Sequence, residues 1–182
     1  MTTEGKSPIT LEELIALGEK HVNRILLEQR EKEMRPLWHL VTPEGPDLII
    51  MTPWNDDFEK KLAVAQIKHM AHEKEAIAVC FVTECWMVAS DKLPSGTPNT
   101  PWHLDQAMKK AMAGADRPSQ SPNRIEAVMI LAHDHSRTIA KGLQTIRDKP
   151  GGRIISFVEH LPIGESKFES WMLEGMLPPG GI

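Results

Sequence analysis

Apolar positions recur at helical spacing near the start of the chain. Leu11, Leu14, Ile15, Val22, Ile25 and Leu26 fall on one side of a 3.6-residue repeat, and a charged stretch follows to Arg35. This pattern predicts an amphipathic helix of about six turns that Pro36 stops. Thr10 and Glu13 hold the spacing of a capping box at its start. Two short apolar runs, Leu37 to Thr42 and Asp47 to Thr52, flank Pro43-Glu44-Gly45-Pro46 and predict a hairpin. Asn55, Asp56 and Asp57 offer a cap and first-turn negative charge for a second helix reaching about Glu75.

From Ile77 to Ala89 both alternating sets of side chains are largely apolar. A strand covered on both faces has this character, so the run is expected at the middle of a sheet, with Trp86 in the core. Residues 90–123 differ in kind. Pro94, Pro98, Pro101, Pro118 and Pro122 punctuate them, and one short helix, Trp102 to Ala113, is predicted inside. An insertion of this length in a domain points to a functional or mobile segment. The final third predicts strands at Ile125–His133, Thr138–Ile146 and Arg153–Val158. A terminal helix is expected around Phe168, Trp171, Met172 and Leu173.

The expected architecture is therefore α+β, with one domain over 10–177, tails at 1–9 and 178–182, and the Pro-rich insertion at 90–123. A single mixed, largely antiparallel sheet of about five to six strands would pack with two main helices. The element order, α-β-β-α-β-(insertion)-β-β-β-α, resembles that of the roadblock, longin and profilin-like group of small domains. The resemblance lies in element order alone, so it implies a fold and assigns no residue a role.

Composition narrows the function classes. The net charge is −4 and no Lys/Arg block interrupts the chain, so no nucleic-acid partner is expected. No run of about 18 apolar residues occurs, which argues against a membrane span. The first residues, Met1 to Ser7, lack the apolar core of a secretory signal, and a cytoplasmic location follows as the expectation. Cys80 and Cys85 lie five apart in one predicted strand, on opposite faces and about 16 Å from each other. That separation is far too great for a disulfide and suits free thiols in a reducing compartment.

Candidate chemistry is sparse. His133-Asp134-His135 ends a predicted strand, so the two imidazoles would share a face about 7 Å apart and could form one edge of a tetrahedral zinc site. Such a site needs a third ligand, for which His160 or Glu84 are the candidates. The competing reading makes the triplet a polar strand end turning into a loop. His69 and His72 form a second pair on the apolar face of the second helix with Phe58 and Leu62, where packing outweighs ligation as the reading. Glu84 is the one carboxylate within the most apolar run; it and Asp134 are the candidate general acids or bases, against an ion-pair role for Glu84 with Arg124 or Arg153. No base or cation adjoins Cys85 in sequence, so it reads as a buried thiol. No nucleophile elbow, P-loop or dinucleotide fingerprint occurs.

Trp54 and Trp102 flank turn signals, and Met108 and Met112 sit in the insertion helix. These four are the candidate partner contacts. The first functional expectation is thus a non-enzymatic binding module that forms a homodimer through a sheet edge or the first helix and needs no cofactor. The alternative is a metal-assisted hydrolase built on His133 and His135 with zinc or another divalent metal. A third reading is a small-molecule sensor with a pocket between sheet and insertion.

Overall fold

In the computed structural model, Thr10 caps helix α1, Leu11–Val22, as the capping box requires. The Thr10 hydroxyl accepts the Glu13 N–H at 3.2 Å, and the Glu13 carboxylate accepts the Thr10 N–H at 2.8 Å. The structure describes residues 9–28, 34–44, 46–88, 106, 109–110, 112–116, 118–144, 146–148, 152–154, 164–165 and 171–179. After Val22 the helix widens into a π-helical turn, Asn23–Glu28, rather than running on as an α-helix. The widened turn keeps Ile25 and Leu26 buried beside Leu11, Leu14, Ile15 and Val22. The predicted extension to Arg35 lies partly outside the described residues.

The predicted hairpin is β1, Leu37–Val41, paired antiparallel with β2, Leu48–Met51. Helix α2, Asp57–Glu73, follows with Asp56 as its cap, the Asp56 carboxylate accepting the Glu59 N–H at 2.8 Å. The remaining strands are β3, Ala78–Val88; β4, Arg124–Asp134; β5, Thr138–Gln144; β6, Ile146–Asp148; β7, Gly152–Ile154; and β8, Gly164–Glu165. The main sheet runs β2-β1-β3-β4-β5-β8, and every described neighbour pair is antiparallel. The fold is α+β, and its sheet is antiparallel where a mixed one was expected. Among the described residues no helix is long and apolar enough to cross a membrane.

Strand β3 lies inside the sheet, between β1 and β4. Its alternation sends Cys80 and Val82 into a cluster with α1 and Val79 and Phe81 into one with Val64, Ile67 and Ala71 of α2. Where β3 is covered, Ala78 to Val82 are all buried. Coverage then falls away. Thr83, Glu84 and Cys85 are half-buried, and Trp86, expected in the core, is exposed, with the Arg124 guanidinium 5.0 Å from its ring.

Three other expectations change. Of the expected terminal helix, Trp171–Gly175 form turns, and Phe168 lies outside the described residues. The left-handed Gly175, at φ 61°, breaks the local path, and the segment is held by burial of Met172, Leu173, Met176 and Leu177 in the α2-side cluster. The last predicted strand, Arg153–Val158, is described only where β7 pairs with β6, apart from the main sheet. The edge beside β5 is taken by β8, which no periodic pattern marked. In the insertion, residues 106, 109–110 and 112 are helical, and the helix ends at left-handed Ala113 and Gly114. Met112 there is half-buried, while Trp102 and Met108 lie outside the described residues.

Candidate functional site

The site follows from where the strands stop. Pro36 precedes β1 and Pro53 follows β2, and neither proline can donate a ladder hydrogen bond. β1 therefore begins opposite Val82, whereas β3 continues for six residues more, paired with β4 alone among the described residues. The Thr52 N–H donates to the Pro36 carbonyl at 2.9 Å and ties the two proline-bounded ends together.

A cleft of about 500 Å³ opens at this end. Residues 34–36 ahead of β1, residues 53–55 after β2, and Thr83 with Glu84 line it. Its volume lies within the range of small-ligand pockets. Glu84 and Trp54, singled out separately in the sequence, meet here. The Glu84 carboxylate accepts the Met34 N–H at 2.7 Å, which fixes the carboxylate at the wall. Trp54 is half-buried; its ring lies 6.3 Å from Phe81, which stacks on Trp38 at 4.1 Å. The Lys60 ammonium stands 5.7 Å over Trp54 and 5.8 Å from Trp171, so the indole is backed by a cation and a core ring. Asn55 is oriented as well, since its N–H and Nδ2 both donate to Glu59, at 2.7 and 3.0 Å. The lining thus offers a carboxylate, a guanidinium (Arg35), an amide and an aromatic face.

The two thiols of β3 are held in their neutral form. Burial pushes the Cys85 thiol up to about 11, with the Glu84 charge adding to the effect, and burial alone pushes Cys80 up to about 12. Neither thiol ionises near neutral pH, so neither supplies a thiolate.

The histidine triplet reads differently in three dimensions. β4 ends at Asp134, and its carboxylate accepts the Ser136 N–H and hydroxyl, each at 2.7 Å, and the Arg137 N–H at 2.9 Å. Burial alone would raise Asp134, but these bonds outweigh it and hold the carboxyl below the usual range. Asp134 closes a turn, and His135 sits exposed within that turn rather than on the strand face of His133. His133 instead meets the Thr138 hydroxyl across β4–β5 at 2.8 Å, and burial holds it below the ordinary imidazole value, with Asp134 opposing.

The register separates Glu84 from the histidines. Glu84 faces Val128 and His133 faces Val79, five positions apart on β4, so the two side chains leave opposite faces about 17 Å apart along the strand. Among the described residues no three His, Cys, Asp or Glu side chains are placed to share a metal ion. His160, the other proposed third ligand, lies outside the described residues.

On α2 the expected packed face is outward: Phe58 is 75% exposed and Leu62 51%. His69 is exposed and 3.6 Å from Glu73. His72 reaches the Gly175 carbonyl at 3.0 Å, and Lys68 donates to the carbonyls of Trp171 and Glu174, so both side chains pin the C-terminal segment.

Sequence reasoning missed one cluster. His21 on α1, His39 on β1 and Asp47 in the hairpin turn form a hydrogen-bonded chain. The available signal was an imidazole at two positions that the helical and strand periodicities both bury. No protein-family model, curated protein or solved structure among those compared matches the chain.

Proposed function

We propose that this chain is a non-enzymatic binding module that takes an extended segment of a protein partner into the cleft beside β3. The observation that carries the reading is the meeting of Trp54 and Glu84 at the point where β1 stops pairing with β3. An extended peptide laid there can use main-chain groups of the strand edge for affinity, with the indole and the carboxylate selecting its side chains. The thiols give no nucleophile, and the Asp134 carboxylate is spent on its turn, so binding suits the residues better than hydrolysis. The free thiols of Cys80 and Cys85 agree with a cytoplasmic setting.

The test is selection of a displayed library of random linear peptides on the full chain. Enriched peptides should bind Trp54→Ala and Glu84→Gln at least about tenfold more weakly, the loss of one good contact, while the far-UV circular dichroism of both variants stays that of the parent. Equal binding by parent and variants would remove the cleft from the mechanism.

The homodimer belongs to the same proposal. β2 forms an outer strand of the sheet, and its Ile49 and Met51, on the α1 side, are 48% and 56% exposed. Two such edges can pair antiparallel about a two-fold axis and cover these side chains mutually. Light scattering after size exclusion should give a dimer that Ile49→Lys converts to monomer. A parent chain that stays monomeric at high micromolar concentration would end this part of the proposal.

A further inference from the structure

His21 and His39 are 8% and 5% exposed, and no feature of the cleft uses them. His21 Nε2 lies 3.2 Å from His39 Nδ1, and His39 Nε2 lies 2.9 Å from Asp47 Oδ2. The rings are tilted by 58° with centroids 5.4 Å apart, an edge-directed contact rather than a stack. This chain joins α1 to β1 and to the turn of the β1–β2 hairpin.

Counting protons fixes what the chain tolerates. The Asp47 carboxylate only accepts, so His39 carries its proton on Nε2. With His39 neutral, its Nδ1 is bare and His21 Nε2 must donate to it. One further proton can enter: His39 becomes the cation between Asp47 and His21, and His21 moves its own proton to Nδ1 so that its Nε2 accepts. A second proton has no place, because two N–H groups would then face each other across 3.2 Å.

We propose that the Asp47–His39–His21 chain is an acid-sensitive latch, which holds the hairpin to α1 while the pair carries at most one extra proton and releases it when both rings are charged.

The surroundings set the direction. Beside His21 stand Arg24, in the turn that continues its helix, and His39 from β1; His39 in turn meets Asp47 of the hairpin turn and lies opposite Cys80 of β3. β4–β5 reach α1 through Arg137 and Lys141, which are paired with Glu12 and Glu19. Burial, then His39, then Arg24 hold His21 below the ordinary imidazole value. A folded imidazole that resists protonation binds fewer protons than the unfolded chain. Its stabilising contribution is therefore complete above the ordinary value of about 6.5 and is lost as pH falls through it toward the lower folded value.

Because Pro36 and Pro53 at the hairpin ends line the cleft, release would also reshape that site. This consequence, unlike the latch, rests on the binding reading above.

The test is imidazole ¹⁵N spectroscopy and amide hydrogen exchange on the full chain, between about pH 8 and pH 5. At the upper end His21 should carry its proton on Nε2. Acidification should add one proton to the pair with hairpin protection intact, and the second should coincide with about a tenfold loss of protection in β1 and β2. His21→Gln cannot take the second proton, and its hairpin protection should persist to the lower end. If that variant fails to fold, the order of proton uptake in the parent chain decides alone. Two charged rings with an undisturbed hairpin, or equal acid sensitivity in His21→Gln, would overturn the latch. So would one equivalent of bound zinc that shifts both rings, since the converging nitrogens would then be a metal site.

Discussion

Phe81→Ala is expected to lower the stability of the fold by about 3–5 kcal/mol. Phe81 has no exposed surface, stacks on Trp38 at 4.1 Å, and reaches Trp54 at 6.3 Å. It also sits opposite Leu131 on β4 and Trp38 on β1, so strands on both sides confine the space its ring would vacate. A void there has few flexible neighbours to fill it. Urea unfolding followed by circular dichroism measures the loss. Phe58→Ala, which truncates the same side chain at a 75% exposed position of α2, should change stability by no more than about 0.5 kcal/mol. Equal effects at the two sites would place Phe81 outside the core. The cleft should feel the first change too, because Trp54 would lose the ring behind it.

The second large effect has the opposite sign from helix propensity. In a solvent-facing helix, replacing glycine by alanine stabilises by about 0.5–1 kcal/mol. Gly18 lies in α1 where the helix rests on the sheet. A Cβ there would stand 2.6 Å from Ile130 Cγ2 and 3.1 Å from Cys80 Sγ. Gly18→Ala should therefore destabilise by about 1–3 kcal/mol, the range of overpacked cores. Ile130→Leu moves the branching methyl away from that point and should restore part of the loss in the double variant. A stabilised single variant would mean that α1 sits further from the sheet than described.

Features carried by neighbouring residues were legible. Thr10 and Glu13 announce a helix start because the capping box is closed within four residues, and Asp56 does the same for α2. Cys80 and Phe81 mark an inner strand because apolar side chains on both faces admit few other places. Where local rules compete, the sequence reading failed. Alternation put His135 beside His133, but the Asp134 carboxylate gathers the Ser136 and Arg137 donors into a turn and ends the strand first. The apolar cluster at Trp171 to Leu173 looked helical, although a run of turns buries Met172 and Leu173 just as well.

The site depended on distance along the chain. Trp54 and Glu84 each drew notice alone, as an indole beside a turn and a carboxylate in an apolar run. Their meeting depends on Leu37 lying opposite Val82, a register set by long-range packing that no local motif encodes. The His21–His39–Asp47 chain was hidden for the same reason. Each residue looks ordinary in its own element, and only the packing of α1 on β3 and β4, which brings His21 to His39 of β1, joins them.

The eleven-residue pairing between β3 and β4 has a consequence for how the chain tolerates change in length. The residues between Val88 and Arg124 connect the two strands, and the entropy of closing a connection grows only logarithmically, by about 0.6 kcal/mol for each doubling of its length. The ladder is anchored by the buried residues Ala78 to Val82 against Ile130 to Ala132, at the end remote from that connection. Added length ahead of Pro118 should therefore cost the ladder little, whereas Pro118–Gln120 pack against β3 and β4 and the fully buried Ser121 ties the last residues of the connection to the fold.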